Sequence, residues 1–128
     1  KKMIIDIEDD YRYVLLTAAV VCVQLIGTGF YAGSYRKRTF GKDFMESNFK
    51  EMHERFFPNK PLNMEGYPDM GYGRYADRLS YKDWFEFNVA QRVHYNYLEN
   101  VAQVVAFILI GGLAKETLWI TVGLGAAQ

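Results

Sequence analysis

Five polar side chains recur at helical spacing in the second half of the chain, within an otherwise apolar stretch. Steps of four, four, three and four residues place them on one face of an α-helix, and we call them the polar stripe: Asn88, Arg92, Asn96, Glu99 and Gln103. An Arg binds a carboxylate bidentately, a Glu accepts a hydrogen bond from an α-ammonium group, and an Asn satisfies a peptide amide. A zwitterionic peptide therefore fits the geometry of the stripe.

A structural role explains the same spacing. Arg92 and Glu99 are about 10 Å apart along the helix axis, too far for good direct pairing within one helix. Either Asn96, which lies between them, bridges the two, or they face a partner outside the helix. That partner is another helix, a second subunit or a ligand. A polar clasp between helices is the alternative to a ligand site, because unpaired polar groups in lipid are costly. The spacing alone leaves both open.

The helix that carries the stripe is predicted to span a membrane. Its purely apolar end, Val104 to Leu113, gives only about 15 Å of helix, whereas a bilayer core is about 30 Å thick. The stripe must then lie at membrane depth, where a charged side chain costs about 2.5 to 3.5 kcal/mol on insertion scales. Ionisable residues at that depth are candidates for a functional site.

Composition limits the remaining choices. The chain has 128 residues, enough for one domain, and its formal net charge of zero indicates no general attraction to nucleic acid. Its single cysteine, Cys22, allows no internal disulfide, and no spacing typical of a metal site is present. We expect Cys22 to be a small hydrophobic residue facing the core.

Another membrane span precedes the stripe. Residues from Tyr13 to Gly33 carry no charge and match the length that a span requires, so helix 1 is predicted at about 11–35. Small residues near its end, Gly27, Gly29 and Gly33, favour close approach of a neighbouring helix. The cluster of Arg36, Lys37, Arg38 and Lys42 then marks the cytoplasmic or matrix end. It is either a solvated flank or a group of cations that binds an anion or activates a thiolate.

The middle of the chain is predicted to be polar and only partly helical. Residues 43–57 place Phe44, Met45, Phe49, Met52 and Phe56 on one face, which suits either the membrane interface or docking on a neighbour. Residues 58–83 are rich in Pro, Gly and Tyr and predict an ordered irregular loop, either an interaction surface or a lid. Helix 2 is predicted at about 84–113, with Trp84 in the interfacial belt, and a third helix begins at about 116–128.

The segment from Phe87 to Glu99 resembles the second-helix motif of the MAPEG family, the membrane-associated proteins in eicosanoid and glutathione metabolism. The family pattern is roughly Phe-Asn-x-x-Gln-Arg-x-His-x-Asn-x-x-Glu, and it is met by Phe87, Asn88, Gln91, Arg92, His94, Asn96 and Glu99. The run from Tyr11 to Thr17 is similar to the first helix of type 3 microsomal glutathione transferases, the branch that the sequence most resembles.

The resemblance implies an all-α fold, an integral membrane helix bundle of four helices forming a single domain over 1–128. Compared with that pattern, we expect the third helix to be cut short and the fourth to be absent in this chain, and a long polar loop to join helices 1 and 2. The resemblance further implies a homotrimer that binds glutathione between subunits and needs no metal. Arg92, Asn96 and Glu99 would contact glutathione, with Gln91 and His94 in support. Arg38 would assist thiolate formation, although Arg36 or Lys37 is an alternative counterpart.

Two functions follow. The first is a glutathione transferase or peroxidase in the endoplasmic reticulum or mitochondrial membrane, where the thiolate attacks lipophilic electrophiles or lipid hydroperoxides that arrive from the membrane lipids. The second is a non-catalytic accessory subunit of a large membrane complex, such as one of the mitochondrial respiratory chain. The second rests on two departures from the family: the Arg and Tyr motif of the third helix would lie beyond Gln128, and the loop from Thr39 to Asp83 is unusually long.

Overall fold

The computed structural model describes residues 9–113, which form three α-helices and one short 3-10 helix. Helix α1 is Tyr11–Thr39, α2 is Lys42–Phe56, the 3-10 helix is Ala76–Arg78, and α3 is Tyr81–Gly111. No strand occurs within this part of the chain, which confirms the all-helical prediction for it. The third helix predicted at 116–128 lies outside the described residues.

Helix α1 is the one helix among residues 9–113 that is long and apolar enough to cross a membrane. Only a narrow strip of its first half is buried, formed by Val14, Ala18 and Val21, which follow one another at steps of four and three residues. Large apolar side chains elsewhere on α1 are exposed, including Leu16 and Val23. Such a surface is a liability in water and is the expected surface in lipid.

Cys22 lies on this outward surface, so the prediction that it faces the core is wrong. Its neighbour Val21 belongs to the buried strip and is 1% exposed. Successive residues of an α-helix point about 100° apart, so Cys22 turns away from the contact that buries Val21. An apolar run thus indicates a hydrophobic environment without showing whether protein or lipid provides it.

The first of two compact units is built from the beginning of α1 and the end of α3, within 1–27 and 96–128. Val14, Ala18 and Val21 pack with Ile108, and the Tyr11 hydroxyl donates a 2.9 Å hydrogen bond to the backbone carbonyl of Leu109. The helices run antiparallel here and approach closely. A Cβ atom on Gly112 would lie 2.5 Å from a methyl group of Val14.

The second unit spans 28–95 and contains the end of α1, all of α2, the loop and the start of α3. Its core is formed by Phe40, Met45, Phe49, Leu62, Ala76 and Phe87. Helix α2 therefore docks on its own chain through Met45 and Phe49. The remainder of its apolar face, Met52 and Phe56, is exposed.

A buried carboxylate organises the loop between α2 and α3. Asp69 is 6% exposed. Its Oδ1 accepts hydrogen bonds from the backbone N–H groups of Gly71 and Gly73, at 2.8 and 3.0 Å. Its Oδ2 accepts from those of Tyr75 and Ala76, at 2.7 and 2.8 Å. Burial alone would raise the pKa of Asp69, but these four hydrogen bonds favour the charged form and lower it overall.

The loop is also fastened to the first turns of α3. The backbone carbonyl of Gly71 accepts hydrogen bonds from Trp84 Nε1 at 2.9 Å and from Asn88 Nδ2 at 3.0 Å. Gly71 has φ +101, and a Cβ atom there would lie 2.8 Å from Asn88 Oδ1. This position therefore requires glycine both for its backbone conformation and for the close approach of Asn88.

Candidate functional site

The five predicted glutathione-binding residues all lie on the continuous helix α3 and are shared between the two compact units. Gln91, Arg92 and His94 belong to the unit that spans 28–95, whereas Asn96 and Glu99 belong to the other. Arg92, Asn96 and Glu99 are exposed on the surface of this chain. Their contact with a ligand or a neighbouring subunit stays a prediction.

His94 is held against α1 by two contacts. Its Nδ1 lies 3.0 Å from the hydroxyl oxygen of Thr28. Its ring also packs against Gly29, where an added Cβ would lie only 3.3 Å from His94 Cε1. Of the three glycines predicted to allow a close helix approach, Gly29 does so, whereas an added Cβ at Gly27 or Gly33 would have no neighbour within 4 Å among residues 9–113.

Gln91 is the most buried of the predicted site residues. It is 6% exposed, and its Nε2 makes no hydrogen bond within the part of the chain that the structure describes. A buried amide donor left unsatisfied costs about 1–3 kcal/mol. The environment of Gln91 thus differs from that of the exposed residues on the same helix, and a supporting role suits it better than direct ligand contact.

The three consecutive cations at the end of α1 have different environments. Arg38 forms an ion pair with Glu86 at the start of α3 and lies 4.5 Å from the centre of the Tyr35 ring. Lys37 Nζ lies 3.6 Å from Glu65 Oε1, so these two side chains also form an ion pair. Because Glu86 offsets the charge of Arg38, this arginine is a weaker thiolate stabiliser than an unpaired one would be.

Arg36, in contrast, is 4% exposed and surrounded by aromatic rings. Its guanidinium carbon lies 4.2 Å from the centre of the Tyr67 ring and 5.1 Å from that of Phe87. It donates to the backbone carbonyl of Glu65 at 3.3 Å, and no carboxylate pairs with it among residues 9–113. Cation–π contacts of this kind favour an Arg that has left water. The sequence placed Arg36 in the basic cluster and made it an alternative counterpart of Arg38, but gave no sign of this aromatic surrounding.

Asn88, the first residue of the polar stripe, is engaged within its own chain. Its Nδ2 donates to the carbonyls of Gly71 and Trp84, at 3.0 and 2.9 Å. The structure therefore gives Asn88 a structural role at the loop, and the exposed part of the stripe begins one turn later, at Arg92.

Sequence analysis missed the role of Asp69. A signal was present, since a short acidic side chain followed by Gly71 and Gly73 is typical of a turn in which the carboxylate accepts nearby backbone N–H groups. No group of His, Cys, Asp and Glu suited to holding a metal ion occurs among the described residues.

The regular secondary structure of the described residues 9–113 is helical, and one of their helices is long and apolar enough to cross a membrane, as in an all-helical membrane protein. The family is shown by a match between residues 14–127 and the model of the MAPEG family, which covers most of the chain. The chain belongs to the MAPEG family, as the second-helix motif predicted. Comparisons with curated proteins and with solved structures found no match.

Proposed function

We propose that the protein is a membrane-bound glutathione transferase or peroxidase, related to the type 3 microsomal branch of its family. The observation that carries the proposal is the complete second-helix pattern on α3. Its Arg92, Asn96 and Glu99 are exposed, and it lies inside the family match over 14–127. These three side chains complement the carboxylate, amide and ammonium groups of glutathione.

The mechanism follows from holding the peptide. Arg92 binds a carboxylate, Asn96 a peptide amide and Glu99 the ammonium group, so the thiol is presented in a fixed position. A nearby cation favours the thiolate. In the transferase reaction the thiolate sulfur attacks a carbon of a lipophilic electrophile; a C–S bond forms while the bond from that carbon to its leaving group breaks, giving a thioether and the released anion. In the peroxidase reaction two glutathione molecules reduce a lipid hydroperoxide to the alcohol, yielding the glutathione disulfide and water.

A binding measurement tests this site. We expect the purified full-length protein in detergent to bind glutathione, and Arg92→Ala and Glu99→Ala each to weaken binding roughly tenfold to a hundredfold, because a charge-assisted hydrogen bond is lost. Arg78→Ala and Glu54→Ala, at exposed positions outside the stripe, are matched controls. No binding by the wild type would exclude the proposal, and unchanged binding in both stripe variants would exclude the site.

The accessory-subunit alternative is favoured by one observation. The inserted region between α1 and α3 is a folded substructure that exposes large aromatic side chains, among them Phe56 at 68% and Tyr72 at 80%. Aromatic residues of this kind are common at protein interfaces. As an accessory subunit, the protein would offer this surface to a partner in a larger membrane complex.

Co-purification in mild detergent tests the alternative. We expect a stoichiometric partner that Phe56→Ser and Tyr72→Ser release. Point substitutions are preferable to deleting 58–80, because the deletion would remove Leu62 and Ala76 from the core. Purification with no partner, together with glutathione conjugation, would contradict the accessory role.

A further inference from the structure

A cleft of about 410 Å³ lies between the second half of α2 and the loop. Its wall is mainly apolar, formed by Phe49, Met52, Phe56, Phe57, Pro68 and Tyr75. No residue of the polar stripe lines it, and every lining residue belongs to the unit that spans 28–95. Its volume falls in the range of small-molecule sites, about 300–1,000 Å³.

The floor of the cleft is buried and well packed, whereas the side chains of its rim are exposed. Phe49 is 3% exposed and its ring centre lies 4.7 Å from that of Tyr75, whose backbone N–H is held by Asp69. Met52, Phe56 and Phe57 at the rim are all exposed. An apolar ligand would cover this exposed surface without requiring the floor to rearrange.

The polar groups of the cleft leave one positive charge without a partner. The Asp69 carboxylate is saturated by its four backbone N–H groups. His53 donates through Nε2 to the backbone carbonyl of Lys60 at 3.0 Å. Arg74 also lines the cleft, and among residues 9–113 no ion pair involves it. Arg74 also lines an adjoining cleft together with Asp77 and Arg78, whose opposite charges add up to zero.

We propose that this cleft binds a free long-chain fatty acid. The chain would lie along Phe49, Met52 and Phe56, and the carboxylate would pair with the Arg74 guanidinium. A single aliphatic chain with a small anionic head suits one apolar cleft with one cation at its edge. A phospholipid would require space for a second chain and a larger head group. This site is separate from the glutathione site and does not depend on it.

Photo-crosslinking in lipid nanodiscs tests the proposal on the full-length protein. The probe is palmitic acid with a diazirine in its chain, and the crosslinked peptides are identified by mass spectrometry. We expect labelling within the cleft-lining segments of α2 and the loop, and competition by unlabelled palmitic acid. Hexadecanol, which lacks the charge, should compete roughly tenfold less well.

Matched variants locate the two ends of the ligand. Arg74→Gln should remove the preference for the acid over the alcohol, whereas Arg78→Gln, outside this cleft, should keep it. Met52→Asp should abolish labelling. Met64→Asp should not, because Met64 is similarly exposed, at 36% against 38% for Met52, but does not line the cleft.

Three results would overturn the proposal: acid and alcohol competing equally, labelling unaffected by Met52→Asp, or phosphatidylglycerol competing as well as palmitic acid. The last would identify the occupant as an anionic membrane lipid. Circular dichroism of each variant verifies that loss of labelling reflects the site rather than misfolding.

Discussion

At the scale of single residues, Asp69 shows how one carboxylate orders a loop with little regular secondary structure. Four backbone N–H groups between Gly71 and Ala76 donate hydrogen bonds to it. In an irregular segment these donors are not satisfied by the regular backbone hydrogen bonds of a helix or a sheet. Backbone donors must be satisfied somewhere when a loop packs against a core. Asp69 satisfies them and thereby holds Ala76 in the core of its unit.

Substituting Asp69 tests this role. Asp69→Asn keeps the shape but removes the charge and one acceptor oxygen, so we expect a loss of about 2–3 kcal/mol in unfolding free energy. Thermal unfolding in detergent measures it. Asp77→Asn, at an exposed position close by, is the control and should change stability by no more than about 0.5 kcal/mol. Equal effects of the two variants would contradict the assignment.

The lowered pKa of Asp69 also predicts a pH dependence. The pKa of Asp69 in the folded protein lies below 3.8, the usual value for an Asp side chain, so the unfolded chain binds more protons at pH values between the folded and unfolded pKa. Asp69 therefore contributes its full stabilisation above about pH 4, and the contribution is lost as the pH falls through the folded pKa. Melting of the wild type and of Asp69→Asn, compared from pH 6 to pH 3, should show a stability difference that shrinks in acid. A constant difference would refute this.

At the scale of elements, α1 and α3 approach each other where small residues allow it. Gly29 admits the His94 ring in one unit, and Gly112 lies against Val14 in the other. The buried strip of α1 is narrow, so its contact with α3 depends on these close approaches more than on a wide apolar face. Helices in lipid commonly associate in this way, since lipid is as apolar as their side chains.

Gly112→Ala tests the tighter approach. The added Cβ would lie 2.5 Å from the side chain of Val14, a residue with no exposed surface, so we expect a loss of about 1–3 kcal/mol from overpacking. Gly27→Ala is the matched control, because nothing lies within 4 Å of its Cβ position. Unfolding by denaturant in detergent compares the two, and a neutral Gly112→Ala would disprove the close packing.

At the scale of the whole molecule, the exposed apolar surface of α1 predicts that this helix inserts into the membrane. Cys22 is a direct probe of membrane insertion. It is the single cysteine in the sequence, its side chain is exposed, and it lies near the middle of the uncharged run. We expect a water-soluble maleimide to leave Cys22 unmodified in intact membranes and to modify it after unfolding in SDS. A cysteine at Ser47, in a Cys22→Ser background, should react in both conditions. Rapid modification of Cys22 in intact membranes would show that α1 does not span.

Local patterns made much of the molecule predictable. The uncharged run predicted α1, and the apolar face of residues 43–57 predicted α2. Both sets of helix ends were correct to within a few residues, because helix formation depends on residues that are close together in the chain. The motif from Phe87 to Glu99 indicated the family that the match over 14–127 confirms. Glutathione binding, the trimer and the roles of Arg92, Asn96 and Glu99 stay predictions.

The sequence by itself therefore determined the helices, the apolar span and the family, all of which depend on residues close together in the chain. Only the tertiary structure decided how individual side chains are used. Arg38 pairs with Glu86, 48 residues away, Asn88 binds the loop, and Cys22 faces outward. Their environments depend on residues that are distant in sequence. The spacing of residues along one helix does not indicate which of its surfaces another element covers.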